Sequence, residues 1–329
     1  MKVLVLGGAG YIGSVTVHRL IEKGYSVVVI DNLVTGHREA VHPKAIFYEG
    51  DLRDEAFLDT VLSNESIDAV IHFAASSLVG ESVTNPGKYY DNNVYGTLVL
   101  LKSLVKHNVD KVIFSSTAAV YGEPDRVPIL ETDPTHPRNP YGETKLAMER
   151  MFHWFDVAHG IKSIALRYFN VAGAIDGRIG EAHEPETHLI PLILQVPLCK
   201  RDYISVYGAD YPTRDGSCIR DYIHVQDIAD AHILAMERLQ EKPVSDVYNL
   251  GNGQGFSVFE MIDAAREVTG HPIPMVIEDR RPGDPAVLVA SNEKAVKELG
   301  WTIQYPDVKD IIRSAWEFHK NFPNGYKKV

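Results

Sequence analysis

The chain has 329 residues, 45% of them hydrophobic and 23% charged, with a formal net charge of -11. That is enough length for one large α/β domain or two smaller ones, and the composition is that of a globular chain rather than a disordered or fibrous one. The acidic balance disfavours binding to nucleic acid or to an anionic membrane, because both carry like charge. Only two cysteines occur, Cys199 and Cys218, too few for a disulfide framework or a thiolate metal cluster.

In chain order, short apolar runs at 3–6, 26–30, 45–48, 69–72, 111–114 and 163–166 read as buried strands. Amphipathic stretches at 12–23, 54–63, 92–106 and 141–159 separate them and read as helices. Strands alternating with helices predict a Rossmann-type, doubly wound parallel sheet, with ligands beyond the carboxyl ends of its strands. Near 170–180 this rhythm breaks into a loop rich in Gly, His and charge. The expected division is therefore a dinucleotide-binding domain at 1–172 and a smaller α/β substrate domain at 173–329. The stretches 221–239 and 247–250 are candidates to return to the first domain. The N-terminus has no apolar signal core and no run long enough to span a bilayer, so a cytoplasmic protein with no membrane partner is expected.

The first strand runs into Gly7, Gly10 and Gly13, spaced G-x-x-G-x-x-G, and then into a helix. Such glycines allow a tight turn, close approach of a pyrophosphate and tight helix–strand packing, while the helix N-terminus offers free N–H groups to the anion. Tyr11 and Ile12 supply part of that first turn. Asp31 ends the second strand, 18 residues after Gly13. A carboxylate there can hold both ribose hydroxyls and repels a 2′-phosphate, which predicts NAD rather than NADP. Asp51 and Leu52 follow the third strand, where an adenine contact is expected. Phe73 and Ala74 follow the fourth, where the cofactor would lie on the strand ends. His72 beside them reads as structural.

Tyr141 and Lys145 stand at i and i+4 and share a helix face, with Asn139 and Pro140 marking its start. Upstream, Ser115, Ser116 and Thr117 put hydroxyls at a strand end. A free phenol is too weakly acidic to serve as a base near neutral pH, and a neighbouring ammonium favours its ionised form. The combination resembles the Ser/Thr–Tyr–Lys set of the short-chain dehydrogenase/reductase superfamily.

Across nearly the whole chain the resemblance is to the extended branch of that superfamily, and within it to the UDP-glucose 4-epimerases. It is carried by GGAGYIG (7–13), DNL (31–33), VGESV (79–83), YYDNNVYGT (89–97), SSTAAVYG (115–122), NPYGETK (139–145), LRYFNVAGA (166–174), RDYIHVQDIADAH (220–232) and RRPGD (280–284). The resemblance implies NAD contacts at Gly7, Gly10, Tyr11, Ile12, Gly13, Asp31, Asn32, Asp51, Leu52, Phe73, Ala74, Asn92, Tyr141, Lys145 and Tyr168. It implies catalytic roles for Thr117, Tyr141 and Lys145. For a UDP-sugar substrate it implies contacts at Thr117, Asn170, Leu189, Tyr207, Arg220, Arg281 and Asp284, and for assembly a homodimer through 92–106 and 141–159.

Two local readings refine this. Dehydratases of the same branch carry an Asp-Glu pair after the threonine, whereas this chain has Ala118 and Ala119, which cannot exchange protons. That points to epimerisation at sugar C4, with UDP-glucose and UDP-galactose as the expected pair. UDP-N-acetylglucosamine and UDP-glucuronate are rival substrates, and a non-enzymatic NAD-binding regulator is a rival of another class. The chain departs from some relatives at Ser77, where they have lysine, and at His188, where they have asparagine. Secondly, His183 and His188 flank Glu184 and Glu186 in a pattern close to a zincin motif. The histidines are five apart rather than four, and Pro185 breaks the helix that motif needs, so no metal is expected.

Overall fold

The computed structural model describes residues 1–281 and 284–326. Its centre is a seven-stranded parallel sheet: β1 (Lys2–Leu6), β2 (Ser26–Asp31), β3 (Ile46–Glu49), β4 (Ala69–His72), β5 (Lys111–Ser115), β6 (Lys162–Tyr168) and β7 (Asp246–Leu250). The spatial order is β7-β6-β5-β4-β1-β2-β3. The six strands expected from the apolar runs are all present, shifted by at most two residues at an end. The seventh comes from the late stretch at 247–250, which pairs in parallel with β6 from Asp246↔Ile164 to Leu250↔Tyr168.

Both faces of the sheet are covered, which explains the unbroken apolar runs. Successive side chains of a strand point to opposite faces. Accordingly Val3 and Val5 pack with Val17, Leu20, Ile228 and Met236 on one side. Leu4 and Leu6 pack on the other side with Leu58, Val61, Leu100, Met148 and Phe152. The first layer holds α1 (Tyr11–Glu22) and the late helix Val225–Glu241. The second holds α2 (Glu55–Asn64), α3 (Gly96–Lys106) and α4 (Pro140–His159). Each fully buried Leu, Ile or Phe side chain contributes about 1.5–3 kcal/mol from leaving water.

The helix bounds follow local signals. Asp54 accepts from the Phe57 amide and Asn139 from the Gly142 amide, at 3.0 and 2.9 Å. Gly160 closes α4 in the left-handed conformation, φ 74°. The expected helix at 92–106 differs: Tyr90–Tyr95 forms a π-helical turn, and α3 proper starts at Gly96. An extra residue per turn changes which side chains face inward, and such turns cluster at functional sites. Here it buries Asn93, while Asn92 is half-buried.

A third core, formed by Ile190, Ile193, Leu194, Met261, Ile262, Ile311 and Ile312, lies in the later part of the chain. It joins the short helix Leu189–Leu194 to Val258–Thr269 and Val308–Asn321. Beside it, the strand Ile219–Arg220 pairs with Val287–Leu288 in parallel and with Phe256–Ser257 antiparallel. A further two-stranded sheet sets Ile204–Tyr207 against Met275–Glu278.

Candidate functional site

β1 is flanked by β2 on one side and β4 on the other, so the chain winds in opposite directions from it and leaves a crevice at its carboxyl end. The glycine loop fills that position. Gly7 has φ 76°, and a β-carbon there would stand 2.7 Å from the Ala74 amide nitrogen. A β-carbon on Gly13 would collide with the Gly7 carbonyl oxygen. The loop therefore lies flat against the strand ends, where the Phe73 and Ala74 amides both donate to Leu6 at 2.9 and 3.0 Å. Gly10 is the cap of α1, and no side chain hydrogen-bonds into that helix end. The first-turn N–H groups at Tyr11 and Ile12 thus face the crevice side without a side-chain acceptor, which suits a pyrophosphate.

Asp31 is buried at the end of β2. Its carboxylate accepts from the amides of Ala9 and Leu33, both at 2.9 Å. Burial pushes its pKa up, against the pull of those N–H donors. Leu33 takes φ 56°, which turns the chain just after the acid. Asn32 donates to Asp51 at 3.0 Å, and Arg53 holds Asp51 at 2.8 Å and well below the usual carboxylate range. Leu52 is buried in the second core. Backbone room, an open helix end and a fixed carboxylate suit a dinucleotide such as NAD.

The second cluster sits at the carboxyl end of β5. Lys145 is only 2% exposed, donates to the Ser115 carbonyl at 2.8 Å, and lies 4.9 Å from the Phe114 ring centre and 6.0 Å from that of Tyr141. Burial lowers its ammonium to about 7, although Glu149 favours the charged form. Tyr141 is raised by burial, while a hydrogen bond with Thr117 pulls it back down. The Ser115 hydroxyl meets the Tyr168 phenol at 2.5 Å, so Tyr168 joins the same group. His72 is fully buried with Nε2 3.2 Å from the Thr97 hydroxyl, a core position as expected.

Asn93 and Glu149 were not singled out from sequence, and Ser115 was read only as a hydroxyl at a strand end. Ser115 links Lys145 to Tyr168 as described. Asn93 bonds Ser76 through both backbone groups and reaches Thr144 at 3.1 Å, pinning α4 to the loop after β4. Glu149 pairs with Arg167 and accepts from Ser116 at 2.5 Å. The signal for Glu149 was legible: Tyr141, Lys145 and Glu149 recur every fourth residue along one face of α4.

Apart from Thr117, the residues expected to hold the substrate lie outside the seven-stranded sheet, on short strands, a helix and irregular chain. Arg220 pairs with Asp284 at 2.7 Å. Arg281 lies over the Tyr207 ring, 3.8 Å from its centre. Asn170 donates backbone and side-chain N–H to the Asp221 carbonyl at 3.2 and 3.3 Å. Leu189 opens its short helix and is half-buried. Asn92 donates to Asn93 at 3.2 Å. In the RRPGD motif, residues 282 and 283 lie outside the described residues.

Residues 3–251 match the NAD dependent epimerase/dehydratase family. A UDP-glucose 4-epimerase of Halalkalibacterium halodurans is 58% identical over 327 residues, covering 99% of this chain and 98% of that one. The chain belongs to the UDP-glucose 4-epimerases. A solved UDP-glucose 4-epimerase superposes with TM-score 0.98 at 56% identity over all of both chains. Another, from Bifidobacterium longum in complex with NAD+ and UDP, does so with TM-score 0.93 at 43% identity, covering 99% of this chain and 100% of that one. As in its family, this epimerase fold is built for NAD. No helix among its described residues is long and apolar enough to cross a membrane.

Proposed function

We propose that this protein interconverts UDP-glucose and UDP-galactose by reversible oxidation at sugar C4, through a 4-keto sugar that is reduced again from its opposite face. The observation that carries this is the buried Lys145 between the Ser115 carbonyl and the Tyr141 ring, next to a threonine followed by two alanines. The relatives' shared activity agrees with it.

NAD, when bound, supplies the acceptor and later the donor of the C4 hydride. Gly7, Gly10, Tyr11, Ile12 and Gly13 would hold its pyrophosphate and Asp31 its ribose. Asn32, Asp51, Leu52, Phe73, Ala74, Asn92 and Tyr168 line the rest. Tyr141 takes the proton of the sugar 4-OH and later returns it. Thr117 hydrogen-bonds the reacting oxygen, and Lys145 favours the ionised phenol electrostatically. Ala118 and Ala119 leave no second acid or base beside the threonine, so loss of water has no proton-transfer partner.

On the substrate side, Arg220 and Arg281 offer planar guanidinium forks suited to a diphosphate. Asp284, now paired with Arg220, would exchange that contact for the ribose, the backbone around Leu189 would meet the uracil, and Tyr207, now under Arg281, lies on the same side. Asn170 and the backbone at Leu189 complete this half. A uridine diphosphate anchored by residues 173–329, while residues 1–172 and the returning strand β7 hold the cofactor, leaves the keto sugar free to turn over between the two.

Exposed apolar side chains on α4 and before α3 support a homodimer. Trp154 and Val157 on α4 are 65% and 67% exposed, and Tyr90 and Tyr95 in the π-helical turn are each 49% exposed, the kind of surface that marks an interface. A cytoplasmic location fits the reduced-thiol reading of Cys199 and Cys218. The experiment is incubation with UDP-galactose, no oxidant added, followed by separation of products. UDP-glucose without net NADH supports the reading; no conversion refutes it.

A further inference from the structure

The loop after the strand Ile179–Gly180 brings together four side chains that the reaction above does not use. Glu181, His183, Glu186 and His188 each point one ligand atom inward, and those atoms all lie within 4.8 Å of one another. His188 Nδ1 stands 2.8 Å from Glu181 and 3.0 Å from Glu186. His183 Nδ1 stands 3.1 Å from Glu181 and 3.8 Å from the second oxygen of Glu186. In a tetrahedral zinc site with bonds of about 2.0–2.1 Å, neighbouring ligand atoms are about 3.3–3.4 Å apart. These four distances, two of them to different oxygens of Glu186, lie around that edge length, and the donor set as a whole spans up to 4.8 Å.

Two further observations favour a cation at the centre. The carboxylate side chains are only 6% and 9% exposed, and their ion-pair partners among the described residues are His183 and His188 themselves, with no Lys or Arg. Buried charges are normally paired or bound to metal. In addition, His183 Nδ1 is a buried atom out of hydrogen-bond alignment with Glu181 despite its proximity, and it has no hydrogen-bond partner among the described residues. In the tautomer that carries its proton on Nε2, this nitrogen has its lone pair available for a third atom.

We propose that Glu181, His183, Glu186 and His188 form a binding site for one divalent cation of the zinc class. The sequence spacing excluded a metal because no helix can carry it across Pro185, and none does: 181–188 is irregular. The loop closes the same donors by a different route. Imidazole with carboxylate, four donors and a compact tetrahedral spacing select zinc over the hard cations, which take six or more oxygens. His188, 46% exposed in its side chain, leaves an entry path.

The site's role is to pin this loop. His183 packs edge-on against Tyr11, 6.3 Å between ring centres, and Tyr11 donates to the Gly173 carbonyl at 2.6 Å. His188 immediately precedes the helix Leu189–Leu194. One ion would therefore tie the glycine-loop helix to the loop that leads to the later core.

The test uses the whole protein after dialysis against a chelator, titrated with Zn²⁺ by calorimetry and thermal melting, and with Co²⁺ by visible absorption. Expected are one zinc per chain, a raised melting temperature, and a tetrahedral Co²⁺ spectrum lacking thiolate charge transfer, which sets it apart from Cys199 or Cys218. His183→Gln and Glu186→Gln should each weaken zinc by no less than the ~10–100-fold that losing a second-shell partner costs. His153→Gln, on an exposed surface histidine, should leave it unchanged. Sub-stoichiometric or unsaturable uptake by the wild-type protein overturns the proposal, as does binding that survives both ligand substitutions, which would mean an adventitious ion only. Should a variant fail to fold, the wild-type stoichiometry and cobalt spectrum decide alone. None of these readouts depends on epimerase activity.

Discussion

The Lys145 ammonium donates to the backbone carbonyl of Ser115 at 2.8 Å, so the residue that tunes Tyr141 is itself fixed by the last residue of β5. The hydroxyl of that same Ser115 meets Tyr168 at the end of β6. Two strand ends and one helix are thus tied at a single residue. A phenol placed over this knot loses little by being fixed in advance, and preorganisation of this kind is what lets a positioned base act efficiently.

Tyr141→Phe removes the base and leaves the ring. Its hydroxyl bonds Thr117 and no core group, so the fold should hold. Turnover of UDP-galactose should fall at least ~10²–10⁴-fold, the range general acid–base catalysis contributes, with a melting temperature close to wild type. Turnover at the wild-type rate would remove Tyr141 from the mechanism.

Asp31→Ala should weaken NAD. The carboxylate that would hold the ribose also accepts from Ala9 and Leu33, so the substitution loosens the glycine loop as well. Charge-assisted hydrogen bonds of ~1.5–3 kcal/mol translate into roughly 10–100-fold in affinity. The check is a fluorescence titration of NAD with the chelated and desalted protein. An unchanged dissociation constant would mean that the ribose is held elsewhere.

Gly13→Ala probes close packing rather than hydrogen bonding. The added methyl meets the Gly7 carbonyl, a backbone atom that cannot swing aside. Helix α1 must then lift off the strand end, at a cost of ~1–3 kcal/mol as for other overpacked sites, with NAD affinity lost in parallel. Gly80→Ala, where a β-carbon meets open space, is the control. Equal denaturation midpoints for the two variants would refute this account of the third glycine.

The sheet was legible because each core strand is buried on both faces and reads as a continuous apolar run. β7 was legible as the candidate stretch 247–250 but its place beside β6 was not, because the partner lies some eighty residues earlier and pairing at that range leaves no local pattern. The positions of Gly7 and Gly13, and of Tyr141 and Lys145, were readable because their spacing follows from a turn or two of backbone, and that of Asp31 because it ends the strand after the first helix. Ser115 acts through its carbonyl and Asn93 through a π-helical turn, and neither property is written in residue type. The loop at 181–188 is a case of the same kind. Helical spacing was the only test that sequence offered, and the side chains converge without a helix.

Asp221 should leave a mark on stability against pH. It is fully buried, accepts from the amides of Asn252 and Ala290 at 2.6 and 3.1 Å, and is pushed by burial to about 6 in spite of them. The unfolded value is about 3.9. Between the two, the folded state binds more protons than the unfolded one, so this group's contribution to stability falls as pH rises from about 4 to about 6 and stays low above. Asp221→Asn removes that titration. Urea unfolding of both proteins should show the wild type gaining on the variant as pH drops from 7 to 4. A difference independent of pH would sink the assignment.

Glu149 and Arg167 are a pair whose partners should not be separable. Their side chains are 9% and 7% exposed, and they form two hydrogen bonds, at 2.9 and 2.5 Å. Arg167 also donates to the Tyr121 phenol, which donates in turn to Asn249 on β7. Removing one member of a buried ion pair strands the other charge, at ~3–5 kcal/mol, whereas an apolar replacement of both can be nearly neutral. Glu149→Gln should therefore lower the unfolding free energy by that order. Glu149→Leu with Arg167→Met should recover much of it, yet turnover should stay low in the double variant. Ser116 would then have lost its acceptor, and Lys145 the carboxylate that favours its charge. Stability and activity that recover together would show the pair to be scaffolding alone, and stability that fails to recover would place its value in the hydrogen bonds to Ser116 and Tyr121.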